Sequence, residues 1–363
     1  MVDGISTIML GSNNYLGLAS HPKVVESAKT ALDTYGAGVA VNPSFLTTSV
    51  HRELGDLLTE FMGVEAALLF ASCSAANHGL LATLVGAGDT IFSDAMNHAS
   101  IIDGCRLSRA RTRVYKTCDL DSLGSELAAS DSNGQRLIVT DGVFSMEGTL
   151  APLRDIIALA RRHGAIVAVD ESHAAGVVGS KGAGTASALG LTPSERESLI
   201  YTGTLSKAFG GAGGGYVAGP RAVIDELARR GRAFIFTTGM SPAVAAAAKT
   251  AIEIHLREPE HHQRLWENTG RLRNGLEKIG LQVAFGDSPI TPILIGDEEL
   301  AVRFSEDLRA DGVFIPSMTY PIVAHGDARL RAQPSAALTS QDMDDALGTL
   351  EEIGAFLGVS KCR

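Results

Sequence analysis

Between about residue 51 and about residue 220 the chain alternates short apolar or β-branched runs with segments of helical period, and few folds are open to such a pattern. Residues 51–62 read as an amphipathic helix, 66–70 as a buried strand, 77–85 as helix, and 90–93 and 137–140 as strands. Residues 153–162 are helical and are stopped by Gly164, after which 165–169 and 198–201 read as two more strands. Strands separated by helices pair in parallel, because each crossover returns the chain to the sheet in the same direction. The expected fold class is therefore α/β, a mostly parallel sheet covered by helices. Beyond it, an alanine-rich helix over 241–256 leads to helices over 262–279, 300–311 and 340–356, a strand over 291–295, and short strands near Val313 and Arg329. That mixture reads as a smaller α+β domain. The expected division is an N-terminal arm over 1–40, a large domain over 41–255 and a small C-terminal domain over 256–363, which suits 363 residues.

Composition narrows the partners. A formal net charge of -10 with no basic run argues against nucleic acid and against an anionic membrane, so small molecules are the expected ligands. The opening MVDGISTIML has no basic segment and too short an apolar stretch for a signal peptide or a spanning helix. Cys73, Cys105, Cys118 and Cys362 show no metal-like spacing and read as reduced thiols, which points to a cytoplasmic protein.

The residues that carry chemistry stand where the expected strands end, the edge at which open α/β sheets bind ligands. The run AIVAVDESH ends an apolar strand on Asp170 and places His173 three residues later. Lys207, in TGTLSKAFGG, follows another strand and precedes a glycine cluster. Alone, such a lysine is a solvated loop charge. Together with the acid and the histidine it points to pyridoxal phosphate: the amine would form a Schiff base, Asp170 would keep the pyridine nitrogen protonated, and His173 would reach the phenolic oxygen. After residue 70 comes ASCSAAN and then a helix, so the amides of Cys73 and Ser74 and nearby hydroxyls would meet a phosphate at a helix N-terminus, although Ser72 and Ser74 taken alone read more readily as plain N-caps. His98 is either structural or stacks on the cofactor ring. Ser145 offers a hydroxyl at the same edge.

Six runs then carry a resemblance that covers nearly the whole chain: SNNYLGLASHP (residues 12–22), SDAMNHASIIDG (93–104), TDGVFSMEG (140–148), VDESHAAGVVG (169–179), TGTLSKAFGGAGGGY (202–216) and ARLRAQPSAA (328–337). On these runs the chain resembles the α-oxoamine synthase family of fold-type I pyridoxal-phosphate enzymes. The resemblance implies the aspartate-aminotransferase-like fold, and condensation of an amino acid with an acyl thioester, usually with loss of carbon dioxide. It assigns Lys207 as the Schiff-base lysine and α-proton base, Asp170 as partner of the pyridine nitrogen, His173 and Ser145 as partners of the phenolate oxygen, and His98 as the stacking ring. Ser72, Cys73, Ser74 and Thr204 would hold the phosphate, with Thr237 of the partner in a homodimer. Asn13 and Arg331 would clamp the amino acid carboxylate, with Arg329 competing for Arg331's role. An aldolase, decarboxylase or aminotransferase of the same fold would share Lys207 and Asp170, with no reason to keep NHASIIDG and ARLRAQPSAA.

The chain also departs from the family pattern. Its Asn-Tyr-Leu-Gly run begins at Asn14, and residues 36–51 replace a glycine-rich, often arginine-containing segment at the substrate entrance. Ser74 stands where an aromatic is frequent, and Leu338 where histidine is common. With no cation over 39–50 to meet a charged tail, the expected substrates are a small amino acid, glycine first and then alanine or serine, and a short uncharged acyl group on coenzyme A or an acyl-carrier protein.

Overall fold

The computed structural model describes residues 4–130, 134–284 and 286–360. Cys362 lies outside the described residues. The chain forms two compact units, the larger made of residues 18–144 and 150–257, the smaller of residues up to 17, 145–149 and 258 onward. Residues 18–40, grouped above with an N-terminal arm, thus lie in the larger unit.

In the larger unit seven strands, β1 (Ala66–Phe70), β2 (Thr90–Asp94), β3 (Arg111–Tyr115), β4 (Arg136–Asp141), β5 (Ala165–Asp170), β6 (Leu199–Thr204) and β7 (Gly215–Gly219), form one sheet in the order β1-β7-β6-β5-β4-β2-β3. Six strands point one way, and β7 runs antiparallel between β1 and β6. This is the mostly parallel sheet that the alternation implies. Buried residues of β1, β2, β4, β5, β6 and β7, among them Phe70, Ile91, Leu137, Ala168, Ile200 and Val217, share one apolar cluster with Leu80, Leu81 and Ile101 from the covering helices. Those helices include α1 (Pro22–Tyr35), α2 (Ser49–Met62), α3 (Cys73–Leu84), α4 (Ala99–Ser108), α5 (Leu120–Ala128), α6 (Leu153–His163), α7 (Arg221–Arg230) and α8 (Pro242–Arg257).

Two differences from the sequence reading have local causes. Helix α3 starts at Cys73, four residues ahead of the expected start, because the Ser72 hydroxyl accepts the Ala75 N–H at 3.1 Å and caps it. Strand β3 escapes a hydrophobic search because it is the outer edge: Arg111, Thr112 and Val114 are exposed, and only Tyr115 is buried.

The smaller unit holds an antiparallel sheet of β8 (Thr291–Gly296), β9 (Ser317–Met318) and β10 (Ala328–Ala332), with β10 in the centre. Helices α9 (Glu260–Ile279), α10 (Glu298–Ala310) and α11 (Ser340–Phe356) contribute Leu272, Leu276, Phe304, Leu308, Met343 and Leu350 to a second apolar cluster, shared with Leu10, Ile293 and Leu330. No described helix is long and apolar enough to cross a membrane.

Candidate active site

Parallel strands deliver their C-terminal ends to one edge of the sheet, and in the larger unit that edge carries acids. Asp141 and Asp170, the last residues of β4 and β5, are partners in the strand register, and both are buried. Two adjacent buried carboxylates repel, and the structure resolves the conflict by treating them differently. Burial pushes Asp170 up, but hydrogen bonds from Asn77 and Ser172, with the charge of Lys207, outweigh it and hold the carboxyl below its ordinary value. Asn77 Nδ2 donates to Oδ2 at 2.8 Å, and the Ser172 N–H donates to Oδ1 at 2.8 Å. Asp141 is pushed well up, by burial first and then by the charge of Asp170. The two carboxyls are therefore shifted in opposite directions, Asp170 toward its charged form and Asp141 toward its neutral one.

Lys207 follows β6 in the tight turn after Leu205, and its Nζ lies 2.8 Å from His173 Nε2. The Cys73 thiol lies 3.4 Å from Asp170 Oδ2 and 3.3 Å from Ser172 Oγ, and burial, followed by the Asp170 charge, raises it well above the ordinary thiol range. It therefore stays a neutral thiol. The structure thus brings Lys207, His173, Asp170 and Cys73 to one place. His98 is the N-cap of α4, and its backbone N–H donates to Asp141 Oδ2 at 3.0 Å. Loss of solvation lowers its imidazole below the ordinary value, Asp170 opposes this, and Lys207 adds to it.

The remaining residues of this unit sit apart from that cluster's hydrogen bonds. Ser72 caps α3, and Ser74 is exposed in the first turn of the same helix. Thr204 is buried, with Oγ1 2.7 Å from Ser206 Oγ. Thr237 lies in an exposed turn, where its hydroxyl bonds to the Thr238 carbonyl at 3.1 Å. Gly215, at the start of β7, passes so close to the 72–73 turn that a Cβ there would strike the backbone nitrogen of Cys73. Glycine at 215 therefore lets β7 support the turn that opens the N-terminus of α3.

The smaller unit holds a second cluster. Arg331 on β10 is buried; its Nε donates to the Ser145 carbonyl, and Nη1 is 3.5 Å from Asn13 Oδ1. Its Nη2 is buried with no hydrogen-bond partner, and so is Gln333 Nε2, while Gln333 Oε1 accepts the Tyr15 hydroxyl at 2.8 Å. Arg329 differs: its guanidinium is paired with Glu147 at 3.4 Å. Of the two arginines, Arg331 is the one with an unspent donor, and a buried donor left unpaired costs about 1–3 kcal/mol unless a ligand takes it.

Sequence reasoning passed over Asn77, Ser100, Ser172 and Asp141. The signal for Asn77 was its spacing: one helical turn after Cys73, it shares that residue's face of α3 and is a buried amide. The donor set fits pyridoxal phosphate on observations of the chain itself. A carboxylate that stays charged although buried suits a pyridinium nitrogen, a lysine amine stands beside it, and a helix N-terminus opens behind Ser72.

Comparison with known proteins agrees. Residues 5–350 match the family model described as aminotransferase class I and II. An 8-amino-7-oxononanoate synthase of Symbiobacterium thermophilum is 45% identical over 99% of this chain and 91% of its own length. The 2-amino-3-ketobutyrate coenzyme A ligase of Escherichia coli K12 is 40% identical over 99% of this chain and 90% of its own. Among solved structures, a serine palmitoyltransferase with pyridoxal phosphate superposes with a TM-score of 0.93 at 32% identity, covering 97% of this chain and 88% of that one. The chain belongs to the aminotransferase class I and II family and, within it, to the α-oxoamine synthases, acyltransferases that depend on pyridoxal phosphate.

Proposed function

We propose that the protein joins a small amino acid, glycine first, to a short uncharged acyl thioester, giving an α-amino ketone, and that it does so as a cytoplasmic homodimer. The observation that carries the site assignment is the buried, charged Asp170 beside Lys207 and His173. Bound pyridoxal phosphate supplies the electron sink that makes the amino acid's α-carbon acidic. The chain's own residues do the rest.

Lys207 Nζ holds the cofactor and, once released from it, takes the α-proton. His173 Nε2, 2.8 Å away, orients that amine and reaches the phenolic oxygen with Ser145. Asp170, whose charged form is favoured by Asn77, Ser172 and Lys207, keeps a proton on the pyridine nitrogen. His98 lies against the ring. Ser72, Cys73, Ser74 and Thr204 hold the phosphate, with Thr237 of a second copy completing the set. Arg331 and Asn13 take the amino acid carboxylate, and the unpaired Nη2 is the group that gains most from it. The thiol leaves as the new carbon–carbon bond forms. Carbon dioxide is lost afterwards, from the β-keto acid so formed, unless the product keeps its carboxylate.

A second reading has its own support in the relative named 8-amino-7-oxononanoate synthase, since a nine-carbon amino keto acid calls for a carboxylated acyl chain. Residues 39–50 carry no arginine or lysine to meet that carboxylate, and this favours the uncharged chain. Two features support the dimer. Phe45, Leu46 and Phe236 expose 84%, 58% and 71% of their surfaces in the larger unit, and Phe236 adjoins Thr237.

Four outcomes are expected. Offered glycine, alanine and serine against acetyl, longer alkyl and carboxylated acyl thioesters of coenzyme A and acyl-carrier protein, the enzyme releases free thiol fastest with glycine and a short uncharged acyl group. Preference for a carboxylated chain would establish the second reading instead. Asp170→Asn retains the cofactor but slows deuterium exchange at the glycine α-carbon by about a hundredfold or more, the scale of a lost acid–base contribution; exchange at the wild-type rate removes Asp170 from the mechanism. Arg331→Lys raises the KM for the amino acid about 10- to 100-fold, as expected for a charge-assisted pair, whereas Arg329→Lys changes it little. The reverse ranking would give the carboxylate to Arg329. Sedimentation shows a dimer, and a fully active monomer would exclude a shared site.

A further inference from the structure

Helix α4 begins with a histidine where an oxygen is usual. Its N-cap is His98, and the imidazole Nδ1 accepts the Ser100 backbone N–H at 3.2 Å, the task that serine, threonine, aspartate or asparagine side chains normally perform. A nitrogen that accepts carries no hydrogen. Protonating Nδ1 would set one N–H against another and put a positive charge at the positive end of the helix.

The side chain of Ser100 approaches the same nitrogen, with Oγ 2.8 Å from Nδ1. The direction of that bond is decided further along, at Asp170. A carboxylate only accepts, so Asn77 must turn its amide nitrogen toward Asp170 Oδ2, at 2.8 Å. The same nitrogen lies 2.9 Å from Ser100 Oγ. It has two hydrogens and donates to both, with the Cys73 sulfur at 3.7 Å as a weak third neighbour. Ser100 Oγ, having accepted from Asn77, has its single hydrogen left for His98 Nδ1. Asn77, Ser100 and Asp170 are all buried, so water does not compete for these positions.

We propose that Asn77 and Ser100 are positioning residues that hold His98 as the neutral imidazole with its proton on Nε2, so that Nε2 donates to a substrate oxygen and the ring's one lone pair, on Nδ1, is engaged by Ser100 and does not act as a base. This rests on the reading of His98 as a ring that lies against the cofactor. It leaves the α-proton to Lys207 alone. It also ties the donor state of His98 to the charged state of Asp170, through side chains from α3 and α4.

The test is nitrogen NMR of the holoenzyme labelled with 15N in its 10 histidines, with His98 assigned by its loss in His98→Gln. The wild type is expected to show a bare Nδ1 and a protonated Nε2 before any substrate is added. Ser100→Ala removes the hydroxyl donor, shifts both His98 signals toward a mixture of tautomers, and lowers kcat for condensation about tenfold with the KM for the amino acid nearly unchanged. Ser100→Thr, which keeps the hydroxyl, restores both. A wild-type proton on Nδ1, unshifted signals in Ser100→Ala, or an unchanged kcat overturns the proposal. If Ser100→Ala does not fold, the wild-type and Ser100→Thr spectra decide it. An enzyme with the expected tautomer that condenses nothing refutes the proposed function instead.

Discussion

The structure turns on one electrostatic choice: of two buried carboxyls on neighbouring strands, Asp170 is held below its ordinary value and Asp141 is pushed above it. Nothing in β4 or β5 makes the choice, since both strands end on the same residue type in the same register. The choice is made by what surrounds each acid: Asp170 receives donors from Asn77 on α3 and from the Ser172 amide, while Asp141 receives the His98 amide and faces its neighbour's charge. The start of α3 and the turn after β5 therefore converge on Asp170, and the cap of α4 reaches it through the neighbouring Asp141. A change in any of the three reaches the others through Asp170.

The features read correctly from sequence were those with a period or a terminus. Alternation announced the mostly parallel sheet, and strands ending on Asp170 and just before Lys207 marked the sheet edge at which these side chains gather. Strand β3 was illegible because an edge strand with Arg111, Thr112 and Val114 facing water has no hydrophobic signature. Strand β7 was hidden in a glycine-rich run, and its direction depends on which strands it lies between, which no local pattern encodes.

At the site the same division holds. Lys207, Asp170, His173 and His98 stand at strand ends or helix starts and could be named in advance. Asn77 and Ser100 sit inside helices as ordinary small polar residues, and their importance is a matter of three-dimensional hydrogen-bond accounting. In sequence, Arg331 was given the carboxylate with Arg329 as its competitor. The structure pairs Arg329 with Glu147, and buries Arg331 against Ser145 and Asn13 with its Nη2 unpaired.

The placement of β7 between β1 and β6 has a consequence in time. Strand β1, the apolar run Ala66–Phe70, has β7 as its only sheet neighbour among the described residues, and β7 is synthesised roughly 150 residues later. At a ribosome speed of about 5–20 residues per second, β1 waits about 8–30 s for its partner. Through that interval its backbone hydrogen-bonding groups and its leucines have α2 and α3 to lean on but no sheet to join. A growing chain of this design is most open to wrong pairing in its first third, and the glycine-rich stretch that ends the wait is the one that follows Lys207.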